Sequence, residues 1–152
     1  MNIVDSQVIM RAAVEADLPQ VLELYAQPAL DDGKILGLED ARRLHARFAD
    51  YPDYRLYVAC IDGRVVGTYA LLIMDNLAHF GTPSGIVEDV AVDPAIQGQG
   101  VGRLMMEDAR ARCAQAGCYK LVLSSNLRRE QAHRFYESIG FERHGYSFRV
   151  RP

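Results

Sequence analysis

The run Gln97-Gly98-Gln99-Gly100-Val101-Gly102 has the residue types and spacing best suited to holding a ligand. Three glycines at alternate positions let a backbone turn tightly and approach a guest with no Cβ atoms in the way. The residues that follow read as a helix, so unpaired N–H groups and a partial positive charge would face that turn. A diphosphate is the natural guest, and Arg103 adds a cation one residue on. Two familiar phosphate motifs do not fit. No Gly-Lys-Ser/Thr closes the run, and G-x-G-x-G late in the chain is not the dinucleotide fingerprint. On spacing alone, an ordinary turn ahead of a helix is the better account.

Glu88 and Asp89 are adjacent acids inside the otherwise apolar stretch 86–92. A carboxylate buried there without a partner is costly. Alternate strand residues face opposite sides, so only one acid lines a given cleft unless a bulge intervenes. Either acid is a candidate for proton transfer, or a purely architectural acceptor of hydrogen bonds. Cys60, Cys113 and Cys118 are odd in number and have no histidine at ligand spacing, which fits neither a disulfide framework nor a zinc site. No other metal-ligating constellation stands out. His79 reads as a loop histidine in solvent and His133 as part of a solvated helix face beside Arg134.

These residues need elements to position them. A first strand is expected over 8–12, then a helix capped by Asp17, with Gln20 completing a capping box and Pro19 in its first turn. Val21, Leu22, Leu24 and Tyr25 form its apolar side. A second helix over 39–48 carries Ala41, Leu44 and Phe48 on one face, and the connection 29–37 has no period. Strands over 55–61 and 64–74 meet at Asp62-Gly63, a hairpin signal. After a loop over 75–84 come a strand over 85–92, a turn, a helix over 100–116, a strand over 119–124, a helix over 130–139 and a last strand over 141–150. Val101, Leu104, Met105, Ala109 and Cys113 give the long helix its apolar stripe. The order predicts an α/β (α+β) fold with a mixed sheet and helices on both faces.

The chain of 152 residues is the size of one domain, 1–152, and its 49% hydrophobic and 24% charged residues are ordinary for a globular protein. Seventeen basic residues against twenty acidic ones argue against nucleic-acid binding. No basic, apolar leader and no run of about 20 apolar residues is present, so a cytoplasmic protein without membrane contact is the expectation.

From residue 85 to 150 the sequence resembles the GNAT superfamily of N-acetyltransferases. That family's Gln/Arg-x-x-Gly-x-Gly/Ala motif matches residues 97–102 at every defined position. Its lead-in strand matches Glu88-Asp89-Val90-Ala91-Val92-Asp93-Pro94, and its closing signature matches Ala132-His133-Arg134-Phe135-Tyr136-Glu137-Ser138-Ile139-Gly140-Phe141. The resemblance implies a mostly antiparallel central sheet with a parallel splayed pair, and acetyl-CoA as cosubstrate without a metal. It implies that backbone groups of Val90, Ala91 and Val92 hold the pantetheine arm. Amides of Gln97, Gly98, Gln99, Gly100, Val101, Gly102 and Arg103 would hold the diphosphate, and Asn126 the far end of the cofactor arm. A homodimer is expected from similar proteins.

Acetyl transfer to an amine needs a neutral nucleophile, a stabilised oxyanion and a proton for the leaving thiolate. Glu88 is the favoured base or acceptor anchor, with Asp89 its rival. Tyr136 belongs on spacing to an apolar stripe with Ala132, Phe135 and Ile139; the motif match implies that it protonates the thiolate. An acyl-enzyme on cysteine is disfavoured, because Cys113 falls on a helix's apolar stripe and no histidine dyad is visible. Gly117-Cys118-Tyr119-Lys120 together with Glu88-Asp89 resembles glucosamine-6-phosphate acetyltransferases, which implies acceptor contacts at Asp89, Tyr119 and Lys120. Ser124-Ser125-Asn126 and Arg128 are similar to aminoalkylphosphonate acetyltransferases. Both branches take a small amine with an anionic head, by direct transfer in a ternary complex. A protein or peptide acceptor, or a non-catalytic acyl-CoA-binding module, are the alternatives.

Overall fold

The computed structural model describes residues 7–28 and 30–152. The chain divides into two compact units, one up to Val122 and one from Leu123 to Pro152.

In the first unit, strands β1 (Ile9–Ala12), β2 (Tyr54–Ile61), β3 (Arg64–Met74), β4 (Ser84–Val92) and β5 (Lys120–Leu123, ending at the boundary) line up in chain order. The first three junctions are antiparallel. β4 and β5 run parallel and are joined through a helix. Asp62 and Gly63 take positive φ (49° and 77°), as the two central positions of a tight hairpin require.

Helices α1 (Leu18–Tyr25) and α2 (Leu38–Arg47) belong to one face of the sheet. Leu18, Val21, Leu22, Leu24 and Ala41 join Leu56, Val58, Cys60, Val65 and Ala70 in one buried cluster. Helix α3 (Val101–Gln115) covers the other face with Val101, Met105, Ala109 and Cys113, as its stripe predicts, plus fully buried Met106. Gly85 makes close seating of α3 possible: a Cβ there would stand 2.3 Å from Cys113 Sγ. Tyr69, also on this face, donates its hydroxyl to Asp108 (2.5 Å), which accepts from Arg112 Nε as well (2.8 Å). That guanidinium lies 3.9 Å above the Tyr57 ring.

Asp17 does not cap α1 with Gln20. A 3₁₀ turn precedes the helix, and the Asp17 carboxylate reaches back to Arg11 (2.6 and 2.8 Å) and the Val14 amide (2.8 Å). It is buried, and a guanidinium fork satisfies it better than one helix amide would. Gln20 Oε1 instead accepts from the Val65 amide of β3 (3.0 Å). Leu44 is exposed rather than on the buried side of α2.

In the second unit, α4 (Glu130–Ser138) stops at Gly140, where the Gly140 and Phe141 amides bond the Glu137 and Tyr136 carbonyls (3.2 and 3.0 Å). The expected strand over 141–150 is not formed. Its apolar alternation is present, but no ladder partner is supplied to it, and a strand without one leaves its backbone groups to water.

Candidate active site

The acid pair sits on a break in the β3–β4 ladder. Ala70 pairs with Glu88 and Thr68 with Ala91, so Asp89 and Val90 together oppose Tyr69 alone. Asp89 takes the left-handed conformation, φ 54°, which a short carboxylate side chain tolerates better than most residues. This is the bulge that lifts the alternation rule for adjacent acids. Both side chains reach solvent, so the cost of burying a bare carboxylate is only partly incurred. Partial desolvation, then the charge of Asp89, pushes Glu88 above the usual carboxylate range. Asp89 is raised by desolvation and next by Asp31. The ring hydroxyls of Tyr25 and Tyr54 are raised by burial and then by the charge of Asp89, which marks them as neighbours of the same acidic field.

Immediately downstream, Gly98 and Gly100 adopt φ of 79° and 95°, closed to most side chains. Space where a Gly98 Cβ would stand is open, with no described atom within 4 Å. A hydrogen bond from Leu104 N to Gly100 O (3.1 Å) opens α3, and the amides of Val101 and Gly102 precede it. Arg103 pairs with Glu107 (2.8 Å) while its Nη2 stays 3.9 Å from the Gly100 Cβ position. The Gln97 side chain folds back to the Val92 carbonyl (3.2 Å), which also accepts from Gln27 Nε2 (3.1 Å). Nothing in the local sequence announces the Gln27 contact, because Gln27 lies two residues past the end of α1 and 65 residues away from Val92. A cavity of about 230 Å³ opens behind this turn, lined by Gln20, Glu23, Arg64 and Asp93 among others, and does not include the acid pair.

Tyr119 and Lys120 lie elsewhere. The Tyr119 amide bonds the Pro83 carbonyl (3.0 Å), five residues ahead of Glu88, or roughly 17 Å along an extended strand. The Tyr119 ring stacks on His79 (4.3 Å between centroids), and Lys120 Nζ is 5.3 Å from it. His79 is exposed in its loop, as expected, and the stacking makes it an aromatic partner as well.

In the second unit, Asn126 Oδ1 accepts from the Arg128 amide (2.9 Å). Its carbonyl accepts from Arg129 N (3.0 Å) and lies 2.8 Å from His133 Nε2, which donates to it. His133 is half-buried and braces the Asn126 turn, where a solvated face was expected. The neighbouring Ser125 hydroxyl is buried with no hydrogen-bond partner, an orphan that a bound ligand's polar group would satisfy. The Tyr136 ring packs on Phe135 (5.2 Å) and edge-on to Phe141 (5.7 Å). Burial raises its hydroxyl above the usual phenol range against a smaller opposing pull from Arg129, so it stays protonated at neutral pH.

Desolvation pushes the Cys113 thiol up to about 12 and also raises Cys60. Neither offers a thiolate at neutral pH. Among the described residues, no three His, Cys, Asp or Glu side chains gather as a metal site, and no helix is long and apolar enough to cross a membrane.

Comparison with known proteins bears on this geometry. Residues 18–141 match the acetyltransferase (GNAT) family model. The chain is 31% identical to a glucosamine 6-phosphate N-acetyltransferase of Trypanosoma brucei brucei, over 98% of this chain and 97% of that one. It is also 31% identical to an aminoalkylphosphonate N-acetyltransferase of Salmonella typhimurium, over 64% of this chain and 62% of the other. A solved structure from Agrobacterium tumefaciens, provisionally assigned as an acetyltransferase, superposes with a TM-score of 0.86 at 33% identity, covering 95% of this chain and 99% of its own.

Proposed function

The chain belongs to the acetyltransferase (GNAT) family and is an acetyltransferase, and from that premise we propose that it moves the acetyl group of acetyl-CoA directly to a primary amine of a small molecule. The observation that carries this reading is the β4 bulge: it opens a carboxylate pair to solvent, and the strand then leads straight into the left-handed Gly98–Gly100 turn. The coenzyme supplies an activated thioester. The amides of residues 97–103 would hold its diphosphate, backbone groups of Val90, Ala91 and Val92 its pantetheine arm, and Asn126 with the orphan Ser125 hydroxyl the arm's far end.

An acceptor amine arrives as an ammonium ion. Glu88 and Asp89 attract that charge, and Glu88, its pKa raised, takes the proton directly or through a water molecule. A backbone N–H of Val90 or Ala91 polarises the acyl oxygen as negative charge gathers there. Tyr136 keeps its proton at neutral pH and gives it to the departing sulfur, whose basicity matches that of a phenol. The raised cysteines favour transfer without an acyl-enzyme.

Relatives named for glucosamine 6-phosphate and aminoalkylphosphonates support an acceptor with an anionic head. The separation of Tyr119 and Lys120 from Glu88 restricts them to an acceptor extended enough to reach both. We place the enzyme in the cytoplasm. The test is thiol release from acetyl-CoA across glucosamine 6-phosphate, aminomethylphosphonate, amino acids and a lysine peptide. Release with small anionic amines is expected. Release with the peptide alone moves the assignment to a protein acceptor, and coenzyme binding with no release to any amine leaves a binding module. Acetyl-CoA at about 100 times its Kd should add about 2.7 kcal/mol of stability.

A further inference from the structure

Helix α3 ends in a pair of capping hydrogen bonds. The Cys118 amide donates to the Cys113 carbonyl (2.9 Å) and the Gly117 amide to the Ala114 carbonyl (3.1 Å), with Gly117 left-handed at φ 76°. Such a cap brings the side chains of its first and last residues together over the helix end, where two apolar groups often meet. Here both are cysteines. The backbone bond between them keeps the pair near the Cα separation of about 4.4–6.8 Å that a disulfide needs. Burial raises the Cys113 thiol, and the charge and hydrogen bond of Cys118 raise it further, so the two sulfurs are neighbours. Cys113 is buried over Gly85 of β4, whereas Cys118 is half-exposed. Acetyl transfer as derived above uses neither thiol.

We propose that Cys113 and Cys118 are a modification site, a reversible disulfide closed by a small disulfide such as oxidised glutathione. The half-exposed Cys118 gives its proton to solvent and attacks one glutathione sulfur, and the other glutathione leaves as a thiolate that solvent reprotonates. Cys113 is too buried and too weakly acidic to be the first nucleophile. Held against the mixed disulfide, its sulfur then displaces the remaining glutathione from Cys118, and its proton goes to the thiolate that departs. Two protein thiols and one glutathione disulfide become one protein disulfide and two glutathione thiols. Excess glutathione runs the same steps backwards. Proximity offsets the scarcity of Cys113 thiolate, because the attack closes within one short turn of chain. The bond ties the last turn of α3 to the residue before Tyr119 and Lys120, and so fixes the entry into β5. An odd number of cysteines hides the pair from spacing arguments. Cys60 is the one left over, buried beside Arg11 on β2.

The test needs neither coenzyme nor acceptor, so it stands or falls apart from the acetyl-transfer reading. The native full chain is equilibrated with oxidised and reduced glutathione, quenched with acid and cut with trypsin. Cleavage after Arg112 and Lys120 releases residues 113–120 as one peptide holding both cysteines. That peptide should be two hydrogen atoms lighter by mass, and reduction should restore it. The ratio of closed to open pair should exceed that of the urea-unfolded chain at least tenfold. Cys113→Ser should hold one glutathione on Cys118, and Cys118→Ser should leave Cys113 unmodified. A native pair that stays open, or a ratio below that tenfold margin, overturns the inference. So does a glutathione that persists on Cys118 of the unaltered chain, glutathione on Cys113 of the Cys118→Ser variant, or a link between two chains through Cys118.

Discussion

β4 with α3, and residues 141–152, handle similar side chains in opposite ways. In the first region every large apolar residue of the helix stripe but Leu104 is buried, the strand has β3 and β5 as neighbours, and Gly85 gives way so that Cys113 can seat against it. In the second, Tyr146, Phe148 and Val150 stand in solvent beside unpaired backbone. Hydrophobicity is common to both. The difference is a hydrogen-bonding partner: a helix makes its own bonds, while a strand must borrow them. The Glu88–Asp89 pair and the Gly98–Gly100 turn lie in the region whose backbone is held.

The contrast breaks most sharply at Tyr136, which shares a unit with the open residues 141–152. Tyr136→Phe should lower turnover about 100-fold with little change in KM for acetyl-CoA; steady-state kinetics showing unchanged turnover would remove that unit from the chemistry. Glu88→Gln should do comparable damage. Because Glu88 acts deprotonated and its pKa is raised, kcat/KM in the native enzyme should climb with pH through a point above the ordinary glutamate value of about 4.3, and the variant should lose that limb.

Packing sharpens the contrast next. Gly85→Ala drives a methyl into Cys113 Sγ and should cost about 1–3 kcal/mol in denaturant unfolding. Gly100→Ala strains a backbone at φ 95° and should raise the Kd for coenzyme about tenfold by calorimetry, an equal Kd meaning that the turn's shape is not what binds. The smallest effect belongs to the open segment. Tyr146→Ser should change monomer unfolding by less than about 0.5 kcal/mol, since an exposed ring contributes little to its own chain.

The Gly98–Gly100 turn was legible because glycine spacing and helix onset act over a few residues, and the Asp62-Gly63 hairpin for the same reason. Gln27 on the Val92 carbonyl and His133 on the Asn126 carbonyl were not, because each contact depends on where a different element ends up.

By itself the sequence determined the strands and α-helices as far as α4, the buried stripe of α3, the Gly98–Gly100 turn and the family. Tertiary structure alone decided that Asp89 takes a bulge beside Glu88, that Asp17 answers Arg11 rather than its own helix, that Tyr119 sits far from the acids, and that residues 141–150 stay unpaired. Period and turn chemistry are written in neighbouring residues, but ladder register and the choice of partner depend on surfaces brought together from distant parts of the chain.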